Sequence, residues 1–347
     1  MALCRVGPEE RSSNTMTRTI PGTMRALRQP SLTGPQDMRL IADAPVPTPG
    51  PGEVLLRVTA AGVNFADVMQ THGTYNGGPQ APYLAGFEAA GEVVALGPGV
   101  TEPALGAHVI GTGYGAFAEY MVQDAAAVAP IPSGWSDEQA LGLILNWATA
   151  LAALKPLGRI TTGETVLIHA AAGAVGQAAV RLAQHYGATV IATASPDKHD
   201  TVRAAGADHV IDYRTADVAA EVLRLTDGLG ADIVLESVGG ENFRASLAAA
   251  KRVTGRVIVY GVAAGESAVT NWELNFQHPV HVIGLHLGIL IQSAPALFTD
   301  LMTELATLIE SGVYSPGAPT VYDLADGPKA LVALESRATT GKLAIRP

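Results

Sequence analysis

Hydrophobic and polar positions change rhythm near the middle of this chain. Over residues 24–122 the apolar positions come in short alternating runs bounded by proline and glycine: 24–29, 37–45, 53–60, 89–96, 108–111 and 117–122. A period of two marks half-buried strands, so this region is predicted to be β-rich with few helices. Pro45, Pro47, Pro49 and Pro51 interrupt the second and third runs; without backbone N–H groups they predict an extended connection, not a central strand. Near Ser136 the character changes. Ser136-Asp137-Glu138-Gln139 has the form of a helix start, leading into an apolar helix through Leu145. A second helix is predicted over 149–157, stopped near Gly158.

From Thr165 to about Leu287 strand runs (165–170, 189–194, 209–213, 232–237, 255–262 and 281–287) alternate with helical stretches such as 217–226 and 241–251. That alternation predicts a parallel, doubly wound α/β sheet. An amphipathic helix over 294–311, a strand over 320–324, a helix over 327–336 and a last strand over 341–345 are expected to return to the first domain. The predicted divisions are a mobile N-terminal tail at 1–23, a catalytic domain over 24–145, a nucleotide-binding domain over 146–287, and the remainder of the catalytic domain over 288–347.

Composition narrows the function classes. The 347 residues exceed the usual size of one core, so two domains are expected. Apolar residues at 48% against 16% charged fit a well-buried globule. A net charge of −10 argues against nucleic acid as a partner. No uninterrupted apolar stretch is long enough to span a bilayer, and residues 280–291 are broken by His281, His286 and two glycines. The single cysteine, Cys4, excludes an internal disulfide framework and any multi-cysteine metal site. The first residues have no apolar core of a secretory signal and carry Glu9-Glu10, so a cytoplasmic protein is expected.

The clearest chemical signal is the stretch 165–187, which reads as strand, glycine turn and helix. Ala172, Gly173, Ala174, Val175 and Gly176 form the turn. A helix starting there directs free N–H groups and a positive dipole end at a bound pyrophosphate. The first glycine of the usual GxGxxG pattern is replaced by Ala171. NAD sites usually place a carboxylate ~20 residues beyond the turn. Here that region holds Ser195 and Lys198, with Tyr213 and Arg214 after the next strand. Hydroxyl and ammonium groups suit a 2′-phosphate, so NADPH is the expected cofactor.

Taken together, Gly62-Val63-Asn64-Phe65-Ala66-Asp67, Gly73-Thr74-Tyr75, Gly86-Phe87-Glu88-Ala89-Ala90-Gly91, the turn at 171–176, Ser237-Val238-Gly239 and the segment 335–342 resemble the zinc-independent quinone oxidoreductase branch of the medium-chain dehydrogenase/reductase superfamily. The resemblance runs from about Met24 to the end of the chain. It implies an α/β fold in which a GroES-like β-rich catalytic domain carries an inserted Rossmann domain, with the active site in the cleft between them and homodimers formed through the run 281–287. It also implies that Asn64 and Tyr75 line the cleft as catalytic residues. Asn64 would donate an amide hydrogen bond to the carboxamide or substrate, and Tyr75 would orient substrate or donate a proton; Asp67 is the polar alternative, with a structural turn role weighed beside it. Thr149, Ser237, Tyr260, Gly261, Leu285, Leu287 and Lys342 join the turn residues as candidate cofactor contacts.

The zinc-type alcohol dehydrogenases of the same superfamily carry a cysteine near the position of Asn64 and a His-Glu pair where this chain has Phe87-Glu88. Zinc needs sulfur or imidazole ligands, so no metal is expected. His199, His209, His281 and His286 read as surface or packing residues. Without a Lewis acid, the substrate must accept hydride readily, as a quinone or an α,β-unsaturated carbonyl does. An NADPH-dependent quinone reductase is the leading expectation. Enoyl-thioester reduction is the second, and a non-catalytic NADPH-binding sensor or crystallin-like structural protein the third.

Overall fold

The computed structural model describes residues 19–347. Most of the expected mobile tail, with Cys4, lies outside the described residues. The first region comprises β1 (Thr23–Gln29), β2 (Arg39–Pro45), β3 (Glu53–Val63), α1 (Phe65–Thr71), β4 (Tyr83–Leu84), β5 (Glu88–Leu96), β6 (His108–Thr112), β7 (Tyr120–Asp124) and β8 (Ala129–Pro130). A helical connection with α2 (Asp137–Ala140) and α3 (Ala148–Ala152) leads to the second region. There follow β9 (Thr165–Ile168), α4 (Ala174–His185), β10 (Thr189–Ala194), α5 (His199–Ala205), β11 (His209–Asp212), α6 (Val218–Leu225), β12 (Ile233–Glu236), α7 (Gly240–Ala249), β13 (Arg256–Val259), β14 (His281–Gly284), α8 (Leu287–Ser293) and α9 (Pro295–Glu310). The chain closes with β15 (Thr320–Asp323), α10 (Gly327–Glu335) and β16 (Leu343–Arg346).

The second region is one parallel sheet in the order β11-β10-β9-β12-β13-β14, the strand order of a dinucleotide-binding Rossmann fold. Alternation along the strands sorts side chains onto its two faces. Val166 and Ile168 of β9 join one core, with Val180, Leu182 and Leu235; Leu167 joins the other, with Ile191, Val234, Val257 and Leu247. In the first region a sheet ordered β15-β16-β3-β5-β6-β8, with β7 paired to β3, lies beside a small sheet β2-β1-β4. The terminal β16 pairs antiparallel with β3, so the end of the chain does complete the first sheet.

Several elements differ from their sequence-based expectation. The helix starting at Ser136 stops at Ala140, because Gly142 takes a left-handed turn (φ 94°). Beyond it one continuous helical segment runs from Leu143 to Leu157, with wide π turns on either side of α3 and Pro156, which lacks an N–H, inside the second of them. The stretch 137–157 is also long and apolar enough to cross a membrane, contrary to the expectation that no stretch would be. It forms core instead: Leu143, Ile144, Leu151 and Leu154 pack with Ala60, Ala90 and Ile110 of the first sheet and Leu182 of the second region. Residues 117–119 precede β7, since Phe117 is bonded to the backbone of Leu27 and Ala85 in the small sheet.

The expected return to the first domain at residue 288 falls later. Residues 287–293 form α8, and α9 inserts Leu301, Leu305 and Leu308 into the core that holds Leu151 and Leu182. The apolar face of α9 finds its partner on the nucleotide layer, so the crossing back comes between Tyr314 and β15. Truncating a buried leucine of this kind costs about 2–5 kcal/mol. Leu305→Ala is expected to lose stability in that range in denaturant melts; a loss under about 0.5 kcal/mol, the size of an ordinary surface change, would show that α9 rides on the surface.

Candidate functional site

All six strands of the second region run parallel, so their carboxyl ends share one edge, and ligands of such sheets lie outside that edge where the strand order reverses. Here the reversal falls between β9 and β12. Ala172 to Gly176 lie between β9 and α4 or in its first turn. Ser195 and Lys198 follow β10, Tyr213 follows β11, Ser237 follows β12, Tyr260 and Gly261 follow β13, and Leu285 and Leu287 follow β14. Topology alone therefore brings these sequence-selected residues to one edge. Thr149 stands apart on α3, half-buried, and Lys342 just before β16.

The turn is built for close approach. Gly173 is extended (φ −79°, ψ 173°) and no side chain caps the N-terminus of α4. A Cβ at Gly176 would lie 2.5 Å from the Ala170 carbonyl oxygen and 2.6 Å from Ala171 Cα, so only glycine lets helix and strand meet there. Ala171 is fully buried, and the left-handed conformation falls one residue earlier, on Ala170 (φ 48°). Behind the turn lies a buried polar group that the sequence did not reveal. Glu236 accepts from the N–H groups of Val238 (2.6 Å) and Gly239 (2.8 Å) and from Asn242 Nδ2 (2.7 Å). It also bonds Ser246 Oγ, which lies 3.0 Å from His169 Nε2. Burial pushes the His169 imidazole down, opposed by Glu236.

The C-terminal segment crosses this edge. Gly341 N–H donates to the Ala172 carbonyl at 2.8 Å, and Lys198 Nζ donates to the carbonyls of Arg337 (2.6 Å) and Thr339 (2.8 Å). Lys198, expected to offer its ammonium to a 2′-phosphate, is here engaged with main chain. Its bonds bring the backbone of Arg337, within the segment 335–342, alongside β10. Ser195 is 2% exposed and its hydroxyl hydrogen-bonds Asp197, holding that carboxyl below its usual range. Arg214 lies 3.9 Å from the same carboxylate. Tyr260, beside Ser237, is pushed up to about 12 by burial.

On the facing domain, Lys342 does not line the open edge. Its Nζ lies 2.6 Å from Glu88 Oε2 and 2.8 Å from Asn64 Oδ1. Asn64 Nδ2 has acceptors in the Gly62 carbonyl and Glu88 Oε2, both at 3.2 Å, and Asn64 Oδ1 also accepts from Asn146 Nδ2. The amide expected to reach the nicotinamide or substrate is therefore occupied within the protein. Asp67 is buried and accepts the Asn64 N–H at 2.8 Å, the turn role weighed for it above. Tyr75 is half-buried with its hydroxyl 3.1 Å from Nε2 of His286, so His286 is more than a surface residue. Phe87 packs edge-on against Tyr114, which hydrogen-bonds the Gly77 carbonyl. A cavity of about 410 Å³ lined by Gln70 and residues 73–80 opens under the Tyr75 loop.

Residues 50–133 match the family described as the alcohol dehydrogenase GroES-like domain and 174–305 the zinc-binding dehydrogenase family. The structure of Escherichia coli quinone oxidoreductase complexed with NADPH superposes with a TM-score of 0.87 at 30% identity, covering 93% of this chain and all of that one. The chain belongs to the zinc-independent quinone oxidoreductase branch of the medium-chain dehydrogenase/reductase superfamily. This branch member is also similar to enoyl reductases: CurK enoyl reductase superposes with a TM-score of 0.84 at 30% identity, covering 93% of this chain and 99% of that one. A mycocerosic acid synthase-like polyketide synthase of Mycobacterium tuberculosis is 37% identical over 340 residues, 97% of this chain. The chain spans only 16% of the length of that relative.

Zinc, named in one of those family descriptions, does not fit the donor set. Asn64 offers an amide and Phe87 a phenyl ring, and the Glu88 carboxylate is already neutralised by Lys342. Among the described residues no group of three or more His, Cys, Asp or Glu gathers as a metal-binding cluster.

Burial pushes the Asp67 carboxyl from 3.8 up to about 7, against the Asn64 N–H and Lys342, which pull it down. Between those values the folded chain holds a proton that the unfolded chain has released, so this group makes stability fall as pH rises. Asp67→Asn keeps an oxygen for the Asn64 N–H and removes the titration. Its stability relative to the parent is expected to rise from pH 4 to pH 8 in thermal melts; a constant difference would show that the carboxyl is ionised throughout.

Proposed function

We propose that this chain reduces conjugated carbonyl compounds with NADPH, quinones being the leading acceptors. The observation that carries the reading is the juxtaposition of a dinucleotide-type sheet edge with a facing wall that offers a phenol, Tyr75, and aromatic rings but no set of metal donors. Bound NADPH supplies hydride. The rest falls to the protein. The N-terminus of α4 and the bare backbone at Gly173 suit a pyrophosphate. Lys198, just after β10, and Arg214, which lies near Asp197 beside it, supply the positive charge that a 2′-phosphate would meet; Lys198 would exchange its main-chain acceptors for phosphate oxygens. The Asn64–Lys342–Glu88 group acts from behind, fixing the cleft wall. Tyr75 donates the proton that the reduced acceptor needs. Burial raises its phenol, with Tyr114 and Asp67 adding to the rise, so the hydroxyl stays protonated at neutral pH.

A second reading, enoyl-thioester reduction, is favoured by the likeness to polyketide synthase segments and to CurK enoyl reductase. Both reactions deliver hydride to a carbon conjugated with a carbonyl. Absorbance of NADPH followed with panels of quinones, enones and crotonyl thioesters separates them by kcat/KM. Tyr75→Phe is expected to lower kcat by about 10²–10⁴-fold if the phenol is the proton donor, and Lys198→Ala to raise KM for NADPH more than for NADH. Tight NADPH binding with no turnover of any acceptor would overturn the enzyme reading.

The assembly proposed is a cytoplasmic homodimer. Its support is the position of β14 at the sheet edge, where His281, Val282 and Gly284 are exposed and one side of the strand has no partner among the described residues. Sedimentation at micromolar concentration is expected to show the dimer, and a monomer there would contradict it.

A further inference from the structure

We propose that His286 is a positioning residue for proton donation by Tyr75, an inference that rests on the reductase reading above. The two side chains come from opposite domains: Tyr75 from the loop after α1, and His286 from the turn between β14 and α8. Their rings lie 5.8 Å apart between centroids and tilted by 44°, with Nε2 and Oη 3.1 Å apart.

The hydrogen positions follow from the other ring nitrogen. Ile289 N–H donates to His286 Nδ1 at 3.2 Å, which caps the start of α8. A neutral imidazole whose Nδ1 accepts must carry its hydrogen on Nε2. Nε2–H therefore donates to Tyr75 Oη, and the hydroxyl hydrogen of Tyr75 has to point elsewhere. Among the described residues Tyr75 Oη has no other hydrogen-bond partner. Its hydrogen is thus left free for the cleft. A helix cap alone asks for one short acceptor, which Asn or Ser supplies as well. Imidazole adds a second nitrogen on the far side, and that nitrogen meets the phenol.

In the reaction, hydride forms a C–H bond at the electrophilic carbon and the conjugated π pair moves to the carbonyl oxygen. The Tyr75 O–H bond then breaks, the proton goes to the reduced acceptor, and the bonding pair stays on Oη as phenolate. His286 keeps its own proton. Its Nε2–H bond becomes charge-assisted as the phenolate forms, which stabilises that step more than the ground state. The phenolate takes a proton from water once product leaves. The acceptor gains one hydride, which carries both electrons, and one proton, while NADPH is oxidised to NADP⁺, so the step balances. The titratable groups facing Tyr75 are His286 from the β14–α8 turn, Tyr114 from the loop after β6, and Asp67 from α1.

Two variants separate positioning from capping. His286→Asn retains an oxygen for the Ile289 N–H but is too short to reach Tyr75. His286→Gln places an amide N–H near Oη and caps less well. We expect H286N to lower kcat about tenfold with KM for NADPH unchanged, H286Q to recover most of that loss, and H286N to cost nothing further in a Tyr75→Phe background. Labelling tyrosine at Cζ with 13C gives a readout that needs no turnover. The Tyr75 signal, assigned by its absence in Y75F, should titrate about one pH unit higher in H286N. Unchanged kcat and unchanged Tyr75 titration in H286N would overturn the inference, as would H286Q proving more damaging than H286N. If Y75F itself leaves turnover intact, the donor reading fails. If Y75F lowers turnover but H286N does not, only the role of His286 fails.

Discussion

The Glu88 carboxylate, with no exposed surface, lies on β5 of the first sheet, and the groups that satisfy it come from three distant stretches of the chain. A buried carboxylate without partners would cost several kcal/mol, so its surroundings are tightly constrained. Lys342 brings a charge from the strand that closes the first sheet, Asn64 an amide from the end of β3, and Gly142 an N–H at 2.8 Å from the helical connection. The left-handed turn that ends α2 aims that N–H at the carboxylate. Satisfying one charge therefore sets the start of the connecting helix, the register of β16 beside β3, and the orientation of the wall that faces the nucleotide edge.

Two further polar groups divide the remaining work at the cleft. Glu236, with Ser246 and His169 behind it, holds the loop after β12 and the end of β9 from inside the nucleotide layer. The segment 337–342 works from outside, bonding Ala172 through Gly341 and Lys198 through two carbonyls. The glycine turn is thus braced on both faces, with the N-terminus of α4 left bare between them.

Much of this fold was legible from periodicity. Each of the six parallel strands stands within a predicted run, and the inner ones, β9, β10, β12 and β13, are legible because a strand covered on both faces shows as a continuous apolar string between turns. The division of the helical connection was not legible: it depends on Gly142 meeting Glu88, a contact between residues 54 positions apart. The allegiance of α9 was hidden for a similar reason, since an amphipathic pattern shows that a helix has a partner but not which one. At the site, the turn residues and those ending each strand could be selected because topology gathers them. Asn64 and Lys342 were also selected, but their engagement with each other and with Glu88 was not legible, since it joins residues far apart in sequence. His286 and Arg337 were passed over, because their neighbours in space, Tyr75 and Lys198, are 211 and 139 positions away in sequence.

The pairing of β16 with β3 has a consequence for how the molecule is made. Lys342 meets Asn64 across 278 positions of chain, and every strand of the nucleotide layer is synthesised in between. The parallel sheet is thus synthesised before the first sheet has β16, and Glu88 waits without its cation until Lys342 emerges. The inserted domain can mature on its own schedule, whereas the wall that faces it is finished only once β16 has been made. Non-local closure of this kind is slow to form, and here it makes the first sheet later than the nucleotide layer to acquire its shape.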